Sequence, residues 1–165
     1  MLSAAEIVGA LEHQTKEERL TVVPWPERDE LLRKGETSID LRLGRWFRSF
    51  KQTRTPSVSL VGRIPRDSDE PSETSRTKQH FVPFGSNYVL HPGRFVLGVT
   101  LEWLRLPASL SGYVTGKSSL GRHGLVIETA AGIHPQFSGC LTLELANVGE
   151  VPLEIYPGMP ICQIF

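Results

Sequence analysis

From Thr37 onward the chain is a succession of short apolar and β-branched runs, each cut off after a few residues by turn formers, and this punctuation leaves room for little besides strands. In TSIDLRLG, Ile39, Leu41 and Leu43 alternate with Asp40 and Arg42, the two-residue period of a half-buried strand. Similar runs follow at SVSLVG, HFVPFG, NYVL, RFVLGVTLEWL, LSGYVTG, LVIETA, CLTLELAN, PLEI and PICQIF. The turns HPG at 91–93 and YPG at 156–158 combine a proline that presets one backbone angle with a glycine free to take positive φ. Many short strands with regular turns predict a sandwich, jelly roll or barrel.

Only the N-terminal stretch reads as helix. Ser3 and Glu6 form a capping box ahead of an apolar stripe of Ile7, Val8 and Leu11, which predicts one short helix. PERDELLRKG predicts a second, with Pro26 in the first turn and Gly35 as the stop. Beyond it helical signals cease. PRDSDEPSETSRTKQ at 65–79 is polar, rich in Ser, Thr and Pro, and too poor in apolar residues to order itself, so it reads as a flexible surface loop inside one domain spanning 1–165.

The bulk numbers narrow the function classes. Eighteen Lys plus Arg balance 18 Asp plus Glu, so no global basic field attracts nucleic acid, and an anionic ligand must be met by a local cluster. No apolar run has the length of a membrane span, and MLSAAEIVGALEHQ lacks the basic start and cleavage site of a secretory signal, which points to the cytoplasm. Cys140 and Cys162 each sit in a strand-like run without a CxxC partner and read as buried, reduced thiols. The five histidines, His13, His80, His91, His123 and His134, show no metal-ligand spacing, and neither HxE nor PCxxC of the zinc nucleobase deaminases occurs. No GxSxG nucleophile elbow is present.

GKSS at 116–119 resembles the end of a phosphate-binding P-loop. It fails that test, because only Tyr113, Val114 and Thr115 separate Gly112 from Gly116, one residue too few, and glycines at 121 and 124 weaken any helix that would follow. What remains is a concentration of polar residues in the C-terminal half: Lys117, Ser118, Ser119, Arg122, His123, His134 and Glu144. Taken singly, Glu144 reads as a solvent-facing carboxylate on a strand and the others as ordinary turn and surface residues.

Taken together, TSIDLRLG, VLHPGRFVLGVTLEWLRLPASLSGYVTGKSSLGRHGL and FSGCLTLELANVGEVPLEIYPGMPICQIF resemble the dCTP deaminase branch of the trimeric dUTPase-like superfamily. The resemblance covers most of residues 37–165. It implies an all-β fold, a distorted jelly roll or β-clip with one or two short N-terminal helices, assembled as a homotrimer with sites between subunits. It also implies hydrolytic deamination of dCTP to dUTP and ammonia without a catalytic metal, Mg2+ entering only as the counter-ion of the triphosphate and zinc not at all. Glu144 then matches the proton-shuttling glutamate, Ser118 the serine that holds the attacking water, and Arg122 the arginine that pairs near the glutamate. Lys117 and Ser119, with Leu120 and Gly121, would meet phosphate; Thr142 and the Leu143 backbone would read the base; Gln163 would contact the phosphate chain. Further nucleotides implied are dUTP and, as regulator, dTTP.

The chain departs from the family pattern in three places. IHPQF puts His134 where an aspartate is expected to bind the sugar hydroxyl and, in dUTPases, to activate water; imidazole is a poor substitute for a carboxylate base, which argues against dUTPase activity. Arg122 to Ile133 is one residue shorter than the deaminase pattern, so the backbone carbonyl that positions water falls on Ala130 or Ala131. The sequence stops at Phe165, where the family continues into a segment that closes over the nucleotide. These departures motivate a second reading, a nucleotide-binding trimer without turnover; a dUTPase or bifunctional dCTP deaminase/dUTPase is a weaker third, because the aspartate it needs is replaced by His134.

Overall fold

In the computed structural model, residues 1–51, 76–128 and 131–165 are described. Helix α1 spans Ala4–Leu11; the Ser3 hydroxyl accepts from the Glu6 amide and the Glu6 carboxylate accepts from the Ser3 amide, so the capping box forms as predicted. Its stripe of Ile7, Val8 and Leu11 is buried. Helix α2 spans Arg28–Lys34 and stops at Gly35 in the left-handed conformation, but Glu27 is its N-cap, which leaves Pro26 outside the first turn.

The strands are β1 (Thr21–Val23), β2 (Ile39–Arg42), β3 (Trp46–Phe50), β4 (Thr77–Phe81), β5 (Tyr88–Leu90), β6 (Phe95–Arg105), β7 (Gly112–Gly116), β8 (Leu125–Glu128), β9 (Gly132–Ile133), β10 (Ser138–Asn147), β11 (Leu153–Ile155) and β12 (Pro160–Ile164). The first sheet has the order β4-β3-β6-β10-β8, with β1 on the far end of β6; the second has the order β2-β12-β7-β9; β11 and β5 form a third pair. Every one of these pairings is antiparallel. The all-β expectation therefore holds, and most of the runs read as strands are strands. The run SVSLVG lies outside the described residues.

Alternation sets the core. On β10, Leu141, Leu143 and Leu145 point inward, and on β6 so do Val96, Gly98, Thr100, Glu102 and Leu104. They meet Leu41, Leu43, Phe47, Ile161 and Cys162, all nearly or wholly excluded from solvent. The expected turn geometry appears at Gly93 (φ 68°) and Gly158 (φ 90°), values that favour glycine.

Four expectations need correction. Residues 65–75 of the expected loop lie outside the described residues, but Thr77–Gln79 belong to β4 and pair with β3, where ladder bonds to a neighbour replace the apolar pattern the segment lacks. The short strands β1, β3 and β9 were not read from the sequence. GKSS is followed by a one-turn helix, α3 (Ser118–Gly121), so helical structure does not end with α2. Cys140 is exposed, because it sits one residue before inward-facing Leu141 on a strand whose sides alternate; Cys162 is buried as expected.

Candidate active site

Outward-facing positions of the second sheet gather one group of polar residues. Gln163 on β12 stands opposite Thr115 on β7 and Asp40 on β2. Lys117 follows Thr115 by two residues, so the pleat returns it to the same side. There its ammonium meets Asp40, with Nζ and Oδ2 2.5 Å apart. Ser38 donates a long hydrogen bond of 3.4 Å to Gln163 Oε1. Lys117 and Gln163 were expected here; Asp40 and Ser38 were not singled out, although the alternation in TSIDLRLG already placed Asp40 opposite the core-facing side.

Strand β2 is fixed from below. Glu102, only 3% exposed, accepts from the Arg42 amide and from Arg42 Nε, each at 2.7 Å. This buried carboxylate ties β6 of the first sheet to β2 of the second, and both its oxygens are satisfied, the condition under which a buried charge is tolerated. Its neighbour Thr100 donates to the Glu102 carbonyl and accepts from the Leu141 amide, which links the same point to β10.

Helix α3 follows Lys117 directly. Ser118, Ser119 and Gly121 are exposed, Leu120 packs against the core, and the exposed Arg122 closes the turn through its amide to the Ser118 carbonyl, 3.1 Å. Gly124 then turns the chain into β8 at φ 88°, so close to Gly149 that a β-carbon would meet its amide nitrogen at 2.8 Å. That contact fixes where Arg122 is presented.

Glu144 lies on the outer side of β10, between Leu97 of β6 and Glu128 of β8, flanked two residues away by exposed Thr142. Its side chain is exposed and makes no hydrogen bond or ion pair with the described residues. Beneath it, Leu143 is fully buried, so the backbone expected to read the base is held by core packing. Within one chain Glu144 faces the C-terminal end of β8 while Arg122 precedes its N-terminal end, roughly 13 Å of strand away. The expected Arg122–Glu144 pair is absent from the single chain. His134 is likewise apart: exposed just past β9, it stands by the Gly112 end of β7, whereas Lys117 stands at the Gly116 end. Ala130 lies outside the described residues. The site residues read from the sequence thus fall into separate groups, one around Lys117 on the second sheet, one around Glu144 on the first and His134 apart from both.

A profile described as dCTP deaminase-like matches residues 2–165. The chain belongs to the dCTP deaminase-like family. Among relatives, a protein named dCTP deaminase from Halorubrum lacusprofundi is 39% identical over 166 residues, covering 99% of this chain and 75% of its own length. One named dCTP deaminase, dUMP-forming, from Corynebacterium diphtheriae is 43% identical over 129 residues, covering 78% of this chain and 64% of its own. A protein of the same name from Mycobacterium ulcerans is 45% identical over 129 residues, with 78% and 63% covered. The chain thus spans just under two thirds of the length of these two dUMP-forming relatives. In structure it resembles the 2'-deoxycytidine 5'-triphosphate deaminase of Agrobacterium tumefaciens, with a TM-score of 0.66 at 21% identity over 99% of this chain and 46% of that one, a likeness of fold. The chain thus shares its mostly β fold with that deaminase. Among the described residues no helix is long and apolar enough to cross a membrane.

Proposed function

We propose that the chain deaminates dCTP, as homotrimers with sites between copies, releasing dUTP and ammonia. Glu144 carries this reading: a carboxylate held on a central strand, exposed, and without a partner among the described residues. Such a group takes a proton from water as the water oxygen bonds to C4 of cytosine and hands that proton to N3. It then moves the second proton to the exocyclic nitrogen, the C4–N bond breaks, and ammonia leaves a uracil ring. Ser118 holds the water, and Lys117, Ser119, Leu120, Gly121 and Gln163 receive the triphosphate, which arrives with its own Mg2+. Thr142 and the Leu143 backbone face the base, with the Ala130 region and His134 toward water and sugar.

Two features support assembly. Arg122 and Glu144 stand at opposite ends of β8, so a neighbouring copy is the natural source of the arginine that the family pattern pairs with the glutamate. The outer side of the first sheet leaves Trp46, Phe81, Phe95 and Trp103 each between 38% and 49% exposed, apolar surface that a neighbouring copy would cover.

The names of the two dUMP-forming bacterial relatives favour a second reading, further hydrolysis of dUTP to dUMP. His134, an imidazole where a dUTPase has its water-activating aspartate, favours dUTP as the product. Incubating the protein with dCTP and Mg2+ and resolving the nucleotides by chromatography decides between them. Ammonia and dUTP in equal amounts are expected; dUMP establishes the second reading. Binding of dCTP by calorimetry without turnover would make the protein a nucleotide binder, and neither binding nor turnover would overturn the proposal.

A further inference from the structure

The ion pair at the start of α3 is not incidental to the fold, and its acidic member has no role in the proposed chemistry. Lys117 is 27% exposed in its side chain and Asp40 44%, so both charges remain within reach of a ligand while touching each other. A lysine side chain left to itself samples many rotamers, and holding it costs entropy that a bound phosphate must otherwise supply. Asp40 removes that cost before the ligand arrives. An ammonium carries three donors; one goes to Asp40, which leaves two for phosphate oxygens.

Asp40 is itself held. It lies on β2 between Ile39 and Leu41, both buried, and opposite Gln163 of β12. Two residues along the same strand, Arg42 is gripped through its amide and its Nε by the buried Glu102. A side chain on a strand pinned this way offers its carboxylate at a fixed place.

We infer that Asp40 is a positioning residue, which keeps the Lys117 ammonium aimed at the mouth of the site so that the triphosphate of the proposed substrate meets a preset cation. This rests on the deaminase reading for the identity of the ligand, but not for the pairing of the two residues. Asp40→Asn should raise KM for dCTP about fivefold, the upper end of what an exposed ion pair contributes, with kcat within about twofold. Asp40→Glu should restore part of the loss. In a Lys117→Met background Asp40→Asn should have no further effect, because the pair no longer exists to be broken. An independent arm needs no nucleotide: lysines are reductively methylated with a 13C label, and the Lys117 resonance is assigned by its loss in Lys117→Met. In the wild type that resonance should lie apart from those of freely exposed lysines and should move toward them in Asp40→Asn. A KM unchanged or lowered in Asp40→Asn, an equal rise in the Lys117→Met background, or a Lys117 resonance indifferent to Asp40 would each overturn the inference. If the wild type neither binds nor turns over dCTP, the deaminase reading fails, while the labelled resonance still decides whether Asp40 holds Lys117.

Discussion

The two polar groups that the sequence pattern assigns to one site are treated differently by the fold. Around Lys117, on the second sheet, polar groups are met within the chain: the ammonium by Asp40, the Gln163 amide by Ser38, and the strand beneath by Glu102 and Arg42. Around Glu144, on the first sheet, the carboxylate stands exposed, and Arg122 is turned away at the other end of β8. The comparison teaches that a single copy completes the half that would hold an anion and leaves open the half that would do chemistry. An exposed carboxylate can take a proton from water and release it again, and an arginine brought by a neighbouring copy favours the ionised form that accepts it.

The largest effect is expected where the fold leaves the charge open. Glu144→Gln keeps the size of the side chain and should lower ammonia release from dCTP by about 10²- to 10⁴-fold, the usual worth of a general acid–base group. Because the residue is exposed and unpaired among the described residues, the thermal midpoint should stay within a degree or two of wild type, on the scale of surface changes. Turnover that survives the substitution would break the contrast between the two groups at its root.

The next effect concerns where Arg122 comes from. If each site takes Glu144 from one copy and Arg122 from its neighbour, Glu144→Gln and Arg122→Ala proteins, each inactive alone, should recover activity when unfolded together, mixed equally and refolded. Random assembly leaves about one site in four with both native residues, so close to a quarter of wild-type activity is expected. No recovery would mean that both residues act within one chain, and that β8 must move to bring them together.

Much of this arrangement was legible in advance, and the rest was hidden for physical reasons. The capping box at Ser3 and Glu6, the glycine stop at Gly35 and the alternation in TSIDLRLG and CLTLELAN are local signals, and the fold obeys them. Strands β1, β3 and β9 depend on neighbours distant in sequence; β9 is two residues long and exists because β7 pairs with it. Thr77–Gln79 carry no apolar period and become strand through the ladder to β3. The ion pair of Asp40 with Lys117 joins residues on strands that only the β2-β12-β7 order brings near each other, so motif spacing gave no hint of it. The exposure of Cys140 was different. The parity of CLTLELAN already set it opposite Leu141, Leu143 and Leu145, and only the habit of placing free cysteines inside concealed this.

Those two thiols give the smallest effect and the finest probe of the contrast, because one is buried beneath the paired group and the other is exposed on the strand that carries Glu144. Cys162 is fully buried beneath the Asp40 and Lys117 pair, and burial, reinforced by the charges of Glu102 and Asp40 and opposed weakly by Lys117, pushes its thiol up to about 12. Cys140 on β10 is exposed near the open group; burial of its sulfur and then Glu102 raise it as well, but alkylating reagents can reach it. At pH 9, iodoacetamide should therefore label Cys140 slowly and leave Cys162 untouched in the native protein, while both react after denaturation, as peptide mass spectrometry would report. The sign of the pH effect follows from the neutral thiol being favoured in the fold. The contribution of Cys162 to stability is complete below the ordinary thiol value of 9.0 and is lost as pH climbs toward about 12. Unfolding midpoints taken across that window should fall less steeply in Cys162→Ala than in wild type. If Asp40→Asn left Cys162 equally unreactive, the paired group would be shielding it by packing alone; if labelling of Cys162 appeared, the ion pair would be part of what keeps that side of the molecule closed.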